Sequence, residues 1–328
     1  MGPRLLITGA TGFIGSRVAA LAALAPEPAH VRLLARRPVV PSEALATAAE
    51  EGVRAVDRPT VEAVPGDLRD AEALRRACAG IDVLVHCASA VGAGEEVSRA
   101  VNDEGTRALV DAALEAGATR IVALSTASVH GRGPFRAAKP GSLPLAPGST
   151  TSRTRAAGER HVVDAGGTAL RPHLVYGTGD RQVVPGIARL LAALPGPLDG
   201  GSSLHSMIDV EALARAVLGA ALAPTVQPGP HYVGHPEPVP VTELIAAVEG
   251  LVGGAAERPR DRAVDIAGAR DLLAGLPFAG HHLDMLAVDH WFADERPWQD
   301  WGCDPGPGFG AGFADHLPWY RKLLGDTP

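Results

Sequence analysis

Short apolar runs alternate with alanine-rich amphipathic segments along the first half of the chain. The runs "RLLIT" (4–8), "VRLLA" (31–35), "VLVHCA" (83–88), "RIVALS" (120–125) and "TALRP" (168–172) read as buried strands. Helical periodicity fills the stretches between them, at 14–25, 70–79, 102–116 and 151–165. Continuously apolar strands separated by helices predict a parallel sheet covered on both faces. Right-handed crossovers then wind it into a doubly wound α/β nucleotide-binding sheet. The Pro- and Gly-rich pieces at 38–66, 131–149 and 223–240 read as loops or linkers, and no internal repeat is visible.

The chain is 328 residues long, enough for one large α/β domain or two lobes. Its net charge of −7 and scattered arginines leave no electrostatic footprint for nucleic acid. Cys78, Cys87 and Cys303 are odd in number and widely spaced, which suits a reduced interior better than a disulfide framework or zinc site. The run "VAALAALA" (18–25) is too short to span a bilayer and follows a glycine loop, unlike a secretion signal. A cytoplasmic location without membrane attachment is the expectation.

Candidate chemistry starts where the first strand runs into "TGATGFIG" (8–15), with Gly9, Gly12 and Gly15 at three-residue intervals. Gly9 permits the turn, Gly12 lets a pyrophosphate approach the backbone, and Gly15 lets the helix pack on the strand. An anion there meets free N–H groups at a helix N-terminus, where the macrodipole favours it.

That motif is followed, in order, by "GDLRD" (66–70), "VLVHCAS" (83–89), "VNDEGTRALVDAA" (101–113), "LSTASVHG" (124–131) and "LRPHLVYGTGD" (170–180). The series resembles the extended short-chain dehydrogenase/reductase family, and "SMIDVEALARAV" (206–217), "HYVGHPEPVPVTEL" (231–244) and "DWGCDP" (300–305) extend the likeness towards the C-terminus. The resemblance implies a nucleotide-binding domain over 1–172, rejoined by about 205–232. A smaller substrate lobe would comprise 173–204 and 233–328. In many relatives the helices at 102–116 and 151–165 form a dimer interface, so a monomer or homodimer is expected.

By the same resemblance, cofactor contacts fall on Gly9, Thr11, Gly12, Phe13, Ile14, Gly15, Asp67, Leu68, Cys87, Ala88, Ser89, Arg155 and Pro172. Asp67 matches the residue that binds the adenine amino group. Where NAD binders place an acid after the second strand, this chain has Ala35, Arg36 and Arg37. Arginines there would pair with a 2′-phosphate, so NADP(H) is the expected cofactor; the alternative is a solvated pair of cations. Cys87 reads as a small buried residue, not a nucleophile.

The family reduces carbonyls with a Ser/Thr, a Tyr acid and a Lys four residues after the Tyr. Thr126 takes the first place, but Thr151 stands at the Tyr position and Arg155 at the Lys position. Tyr176, Tyr232 and Tyr320 are the sole tyrosines, and none has a lysine four residues on. Threonine is too weak an acid to replace a tuned phenol, and arginine keeps its proton. Three sources of stabilisation for the alkoxide remain: a histidine (His130 or His173), water, or the substrate itself. Each histidine is read either as an acid or as a pocket-shaping residue bonded to the backbone. A ketone beside its own phenol polarises itself, as aromatic polyketides can, and the resemblance to atypical family members that lack the Tyr and Lys implies a substrate of the angucyclinone type. A non-catalytic NADP-binding sensor and a cyclase, dehydratase or epimerase are the other readings. His205 is a weaker candidate, and the group His281, His282, Asp284 and His290 fits no standard metal spacing, so no metal is expected.

Overall fold

The computed structural model describes residues 2–37, 59–251 and 263–325, with the side chains of 277 and 278 excepted. The expectation of loop over 38–58 lies outside the described residues.

Seven parallel strands form the main sheet: β1 (Arg4–Thr8), β2 (His30–Ala35), β3 (Thr60–Pro65), β4 (Val83–His86), β5 (Arg120–Leu124), β6 (Thr168–Arg171) and β7 (Gly229–Tyr232). Their spatial order is β7-β6-β5-β4-β1-β2-β3, so the chain winds outward in both directions from β1. Leu5, Leu6, Ile7, Leu84 and Val85 are fully buried, as strands covered on both faces require. The helices include α1 (Phe13–Leu24), α2 (Ala71–Cys78), α3 (Thr106–Glu115), α4 (Thr150–Asp164), α5 (Val183–Ala192) and α6 (Val210–Leu222). One face of the sheet packs on α1 and α6, with Val18, Ala22, Leu213 and Val217 in its core. The other packs on α2, α3 and α4 through Leu74, Leu109 and Val162.

Three expected loops contain strands. β3 lies within 38–66 and β7 within 223–240, while Phe135–Ala138 forms a strand within 131–149. β3 and β7 are the two edges of the sheet, so each pairs on one side and neither needs a continuous apolar run. Both also carry proline, Pro65 and Pro230, which an edge tolerates. The helix expected over 102–116 begins earlier, at Glu95–Arg99, and passes through a π-helical turn, Ala100–Gly105, before α3.

A third core forms beyond β6. Leu174, Ile187, Leu191, Leu244, Leu283 and Phe313 pack there. Beside it lies a four-stranded sheet in the order Val239–Pro240, Leu204–His205, His290–Phe292, Phe135–Ala138. Residues 207–232 return to the nucleotide half, where Met207–Asp209 pairs with Leu174–Tyr176 and α6 packs on α1.

Candidate active site

The C-terminal ends of β1, β2, β4, β5 and β6 open on one cleft of about 1100 Å³, the place where a doubly wound sheet binds ligands. Gly9, Thr11, Gly12, Phe13, Ile14 and Gly15 line its floor. Gly9 adopts φ +74°, and a Cβ on Gly15 would sit 2.2 Å from the Gly9 carbonyl oxygen, so α1 starts too close to the turn for any other residue. Cys87, Ala88 and Ser89 form the next wall, with Asp67 and Leu68 beyond them. Burial pushes the Cys87 thiol up to about 12, which leaves it protonated and unreactive. Asp67 accepts both arms of the Arg69 guanidinium, at 2.8 and 2.9 Å, and these bonds hold its carboxyl down at about 2. Arg36 and Arg37 are both exposed at the end of β2, and Arg36 lines the cleft whereas Arg37 stands outside the lining. The two arginines therefore do not form a symmetric clamp.

At the reacting end, Thr126, Thr151, Arg155, Pro172 and His173 all line the cleft. Thr126 caps the short helix Ala127–His130, with Oγ1 accepting from the Ser128 N–H and donating to Ser128 Oγ at 3.2 Å. Thr151 sits in the first turn of α4, whose start Ser149 and Ser152 fix as a reciprocal capping box. Arg155, one turn on, donates from Nη2 to the carbonyls of Leu124 and Ser125, both at 2.9 Å. Burial lowers its guanidinium to about 10 against the pull of Glu159, so it remains a fixed cation at neutral pH. No phenol joins them. Tyr176 and Tyr232 are 2% exposed and Tyr320 is 0%, and all three lie outside the lining. Lys139 and Lys322 are exposed elsewhere.

Of the two readings of His130, its contacts fit the backbone-bonded pocket former. It lies outside the cleft lining, buried behind the wall, with Nδ1 bonded to the Pro144 carbonyl at 2.7 Å. Nε2 meets the Tyr232 hydroxyl at 2.7 Å and Arg171 Nη1 at 3.1 Å. With both nitrogens engaged it cannot serve as the proton donor, and it acts as the backbone-bonded pocket former instead. Arg171 is in turn paired with Glu159 through two contacts, one of them Nε to Oε2 at 2.9 Å, and Ser125 donates to the same carboxylate. These groups brace β5, β6 and α4 behind the reacting end. His173 does face the cleft, but burial and its histidine neighbours hold it neutral, well below its ordinary range.

Sequence reasoning missed the opposite wall. Asp180, Arg181, Gln182, Val183, His281 and Trp319 also line the cleft. Asp180 caps α5 by accepting from the Gln182, Val183 and Val184 amides. Its backbone carbonyl accepts from Trp319 Nε1 at 3.0 Å, and the Arg181 guanidinium stacks over the same indole. Trp319 comes from the far end of the chain, and no local spacing links it to 180. The group His281, His282, Asp284 and His290 does not assemble as one. Asp284 pairs with Arg132 and Arg270, and His290 turns instead towards His173 and His205.

Fold and cleft together define a dinucleotide-binding enzyme of the extended short-chain dehydrogenase/reductase type. Residues 5–233 match the NAD dependent epimerase/dehydratase family, and the chain belongs to it. It is 29% identical over 334 residues to the 2-alkyl-3-oxoalkanoate reductase of Stenotrophomonas maltophilia, covering 92% of this chain and 94% of that one. It is 34% identical over 225 residues to the ceramide reductase of Caulobacter vibrioides, covering 67% of this chain and 61% of the other. Among solved structures, the dTDP-glucose 4,6-dehydratase DesIV of Streptomyces venezuelae superposes with a TM-score of 0.71 at 22% identity, covering 98% of both chains. WbmG of Bordetella bronchiseptica gives 0.69 at 21%, over 99% of this chain and 96% of that one. Both structures were determined with NAD. No helix among the described residues is long and apolar enough to cross a membrane.

Proposed function

We propose that the protein is an NADPH-dependent ketoreductase that reduces a ketone of an aromatic polyketide, of the angucyclinone type, in antibiotic biosynthesis. The observation that carries this reading is the pairing of a complete dinucleotide cradle with a reacting end that holds Thr151 and Arg155 and no phenol. That combination resembles the angucyclinone 7-ketoreductase of simocyclinone biosynthesis.

When bound, the reduced nicotinamide supplies the hydride, which is the cofactor's own chemistry. Gly12 and Gly15 would present the α1 N-terminus to the pyrophosphate, and Arg36 would pair with the 2′-phosphate. Arg155 would contribute a fixed positive charge to the nicotinamide end of the cleft. Thr126 and Ser128, both in the lining, orient the ketone oxygen with their hydroxyls. The proton comes from the phenol next to the ketone on the substrate, so the protein contributes orientation and a dry wall. Trp319 and Phe13 supply flat apolar surface to a planar ring system.

The names of two similar proteins, both reductases, favour net reduction. The family's own description favours a second reading, an epimerase or dehydratase that retains its cofactor. Incubation with NADPH and a panel of hydroxylated aromatic ketones separates the two. Loss of NADPH absorbance matched by an alcohol two mass units heavier supports ketoreduction. Substrate conversion with no net NADPH loss supports the second reading, and cofactor binding without any conversion supports a redox sensor.

A further inference from the structure

Three histidines from distant parts of the chain meet behind the cleft wall. His173 follows Pro172 at the end of β6, while His205 and His290 are register partners in the small sheet. Ring centroids are separated by 5.1 Å (173 to 290), 6.1 Å (205 to 290) and 6.2 Å (173 to 205). The planes lie within 10° to 16° of one another. One ring nitrogen from each lies within 4.8 Å of the other two.

Hydrogen bonds fix two of the tautomers. His290 Nδ1 bonds the Val288 carbonyl at 2.9 Å and so carries its proton there, leaving the Nε2 lone pair towards the Gly133 N–H at 3.0 Å. Ser203 Oγ gives its proton to the Leu286 carbonyl, so it accepts from His205 Nε2 at 3.1 Å. The lone pair of His205 is then on Nδ1. His205 is 0% exposed and His290 5%. His205 Nδ1 and His173 Nε2 are both buried and have no hydrogen-bond partner. A buried polar atom without a partner costs about 1–3 kcal/mol, so two side by side call for an occupant that the protein itself does not supply.

We propose that His173, His205 and His290 form a binding site for a divalent transition-metal ion of the zinc class. Ligand chemistry fits this assignment. An all-imidazole set suits zinc, cobalt, nickel or copper and disfavours calcium or magnesium, which want oxygen. Zinc–nitrogen bonds of about 2.0–2.1 Å put tetrahedral ligand atoms roughly 3.4 Å apart, so the cluster needs to close by about 1.4 Å at most. The bonds from His290 Nδ1 to Val288 and from His205 Nε2 to Ser203 are the outer contacts that orient metal-bound histidines. His290 would exchange the half-buried Gly133 amide for the metal. Three protein ligands leave a fourth position for water or a substrate oxygen, and His173 is the member that borders the cleft. The inference stands apart from the proposed reaction, because binding is tested without turnover.

The test titrates Co²⁺ and Zn²⁺ into the chelator-stripped full-length protein. Visible Co²⁺ d–d bands that saturate at one equivalent and are displaced by Zn²⁺ are expected. His173→Asn and His205→Asn should each weaken binding on the order of 10²-fold, with the far-ultraviolet circular dichroism spectrum and unfolding midpoint as the check that the variant is folded. His282→Asn should leave metal affinity unchanged. If the buried His205 variant fails to fold, anomalous diffraction from Zn²⁺-soaked wild-type crystals decides the matter, with a peak between the three rings expected. No stoichiometric binding, unchanged affinity in folded His173→Asn, or a water at the cluster centre of Zn²⁺-soaked crystals would overturn the assignment.

Discussion

Thr151→Ala should lower kcat for ketone reduction only about twofold to twelvefold. The hydroxyl lines the cleft, so it can donate one neutral hydrogen bond to bound substrate, worth about 0.5–1.5 kcal/mol. A positioned general acid is worth far more, on the order of 10²–10⁴ in rate. The two magnitudes do not overlap, which makes the substitution decisive. A threonine hydroxyl is intrinsically too weak an acid to take that role, and Arg155 commits Nη2 to the Leu124 and Ser125 carbonyls. For the same reason, Thr151→Tyr combined with Arg155→Lys should not accelerate the native reaction. A lysine that takes over those carbonyl contacts is not free to tune a phenol. The assay is single-turnover NADPH oxidation with saturating substrate, followed from about pH 6 to about pH 9. Arg155, lowered to about 10, stays charged across that window, so its position should add no basic limb to the kcat profile. A hundredfold loss in Thr151→Ala would refute the reasoning and return the role of acid to this position.

Other outcomes follow from neighbouring contacts. Arg36→Ala should weaken NADPH binding by about 1.5–3 kcal/mol and leave NADH nearly unchanged, while Arg37→Ala should do little; isothermal titration with both cofactors checks this, and equal losses would remove the 2′-phosphate assignment. Glu159→Ala strands the buried Arg171 charge, whose side chain is 5% exposed, and should cost about 3–5 kcal/mol in urea unfolding. A loss below about 1 kcal/mol would show that water reaches the pair. O-methylation of the substrate phenol beside the ketone should cost on the order of 10² or more in kcat, and native turnover of the methyl ether would rule out substrate assistance.

The central strands were legible because burial on both faces demands unbroken apolar runs, as at 4–8 and 83–86. The edge strands were not, since "TVEAVP" and "GPHY" pair on one side only, carry proline and lack a continuous apolar run. The cradle could be read from glycine spacing because the turn itself is local, with the Gly12 N–H donating to the Gly9 carbonyl at 2.9 Å, whereas the close approach of Gly9 to Ala88 is tertiary. "RAAGER" also has a physical reason that only the structure shows. A Cβ on Gly158 would lie 2.0 Å from the Asn102 carbonyl oxygen, so α4 presses against the π-helical turn at that point. Asn102 in turn holds Ala90 from both sides and donates to Thr154, which ties the loop after β4 to the helix that carries Thr151.

Histidine roles were the least legible part, and the reason is tertiary. His130 and His173 follow neighbouring strands, yet the short helix after β5 puts the first behind the wall and the end of β6 puts the second in it. A ring nitrogen becomes an acid, a ligand or a strut according to what its other nitrogen bonds and which distant rings the fold brings beside it. Pro144 and Tyr232 settle His130, and Ser203 and Val288 settle His205 and His290. The cleft keeps its shape without a phenol in its lining, because other groups hold it open. Arg155 is anchored on the Leu124 and Ser125 carbonyls, and Glu159 and Arg171 satisfy each other behind it. The groups that brace the cleft are therefore satisfied by one another and need no phenol at position 151.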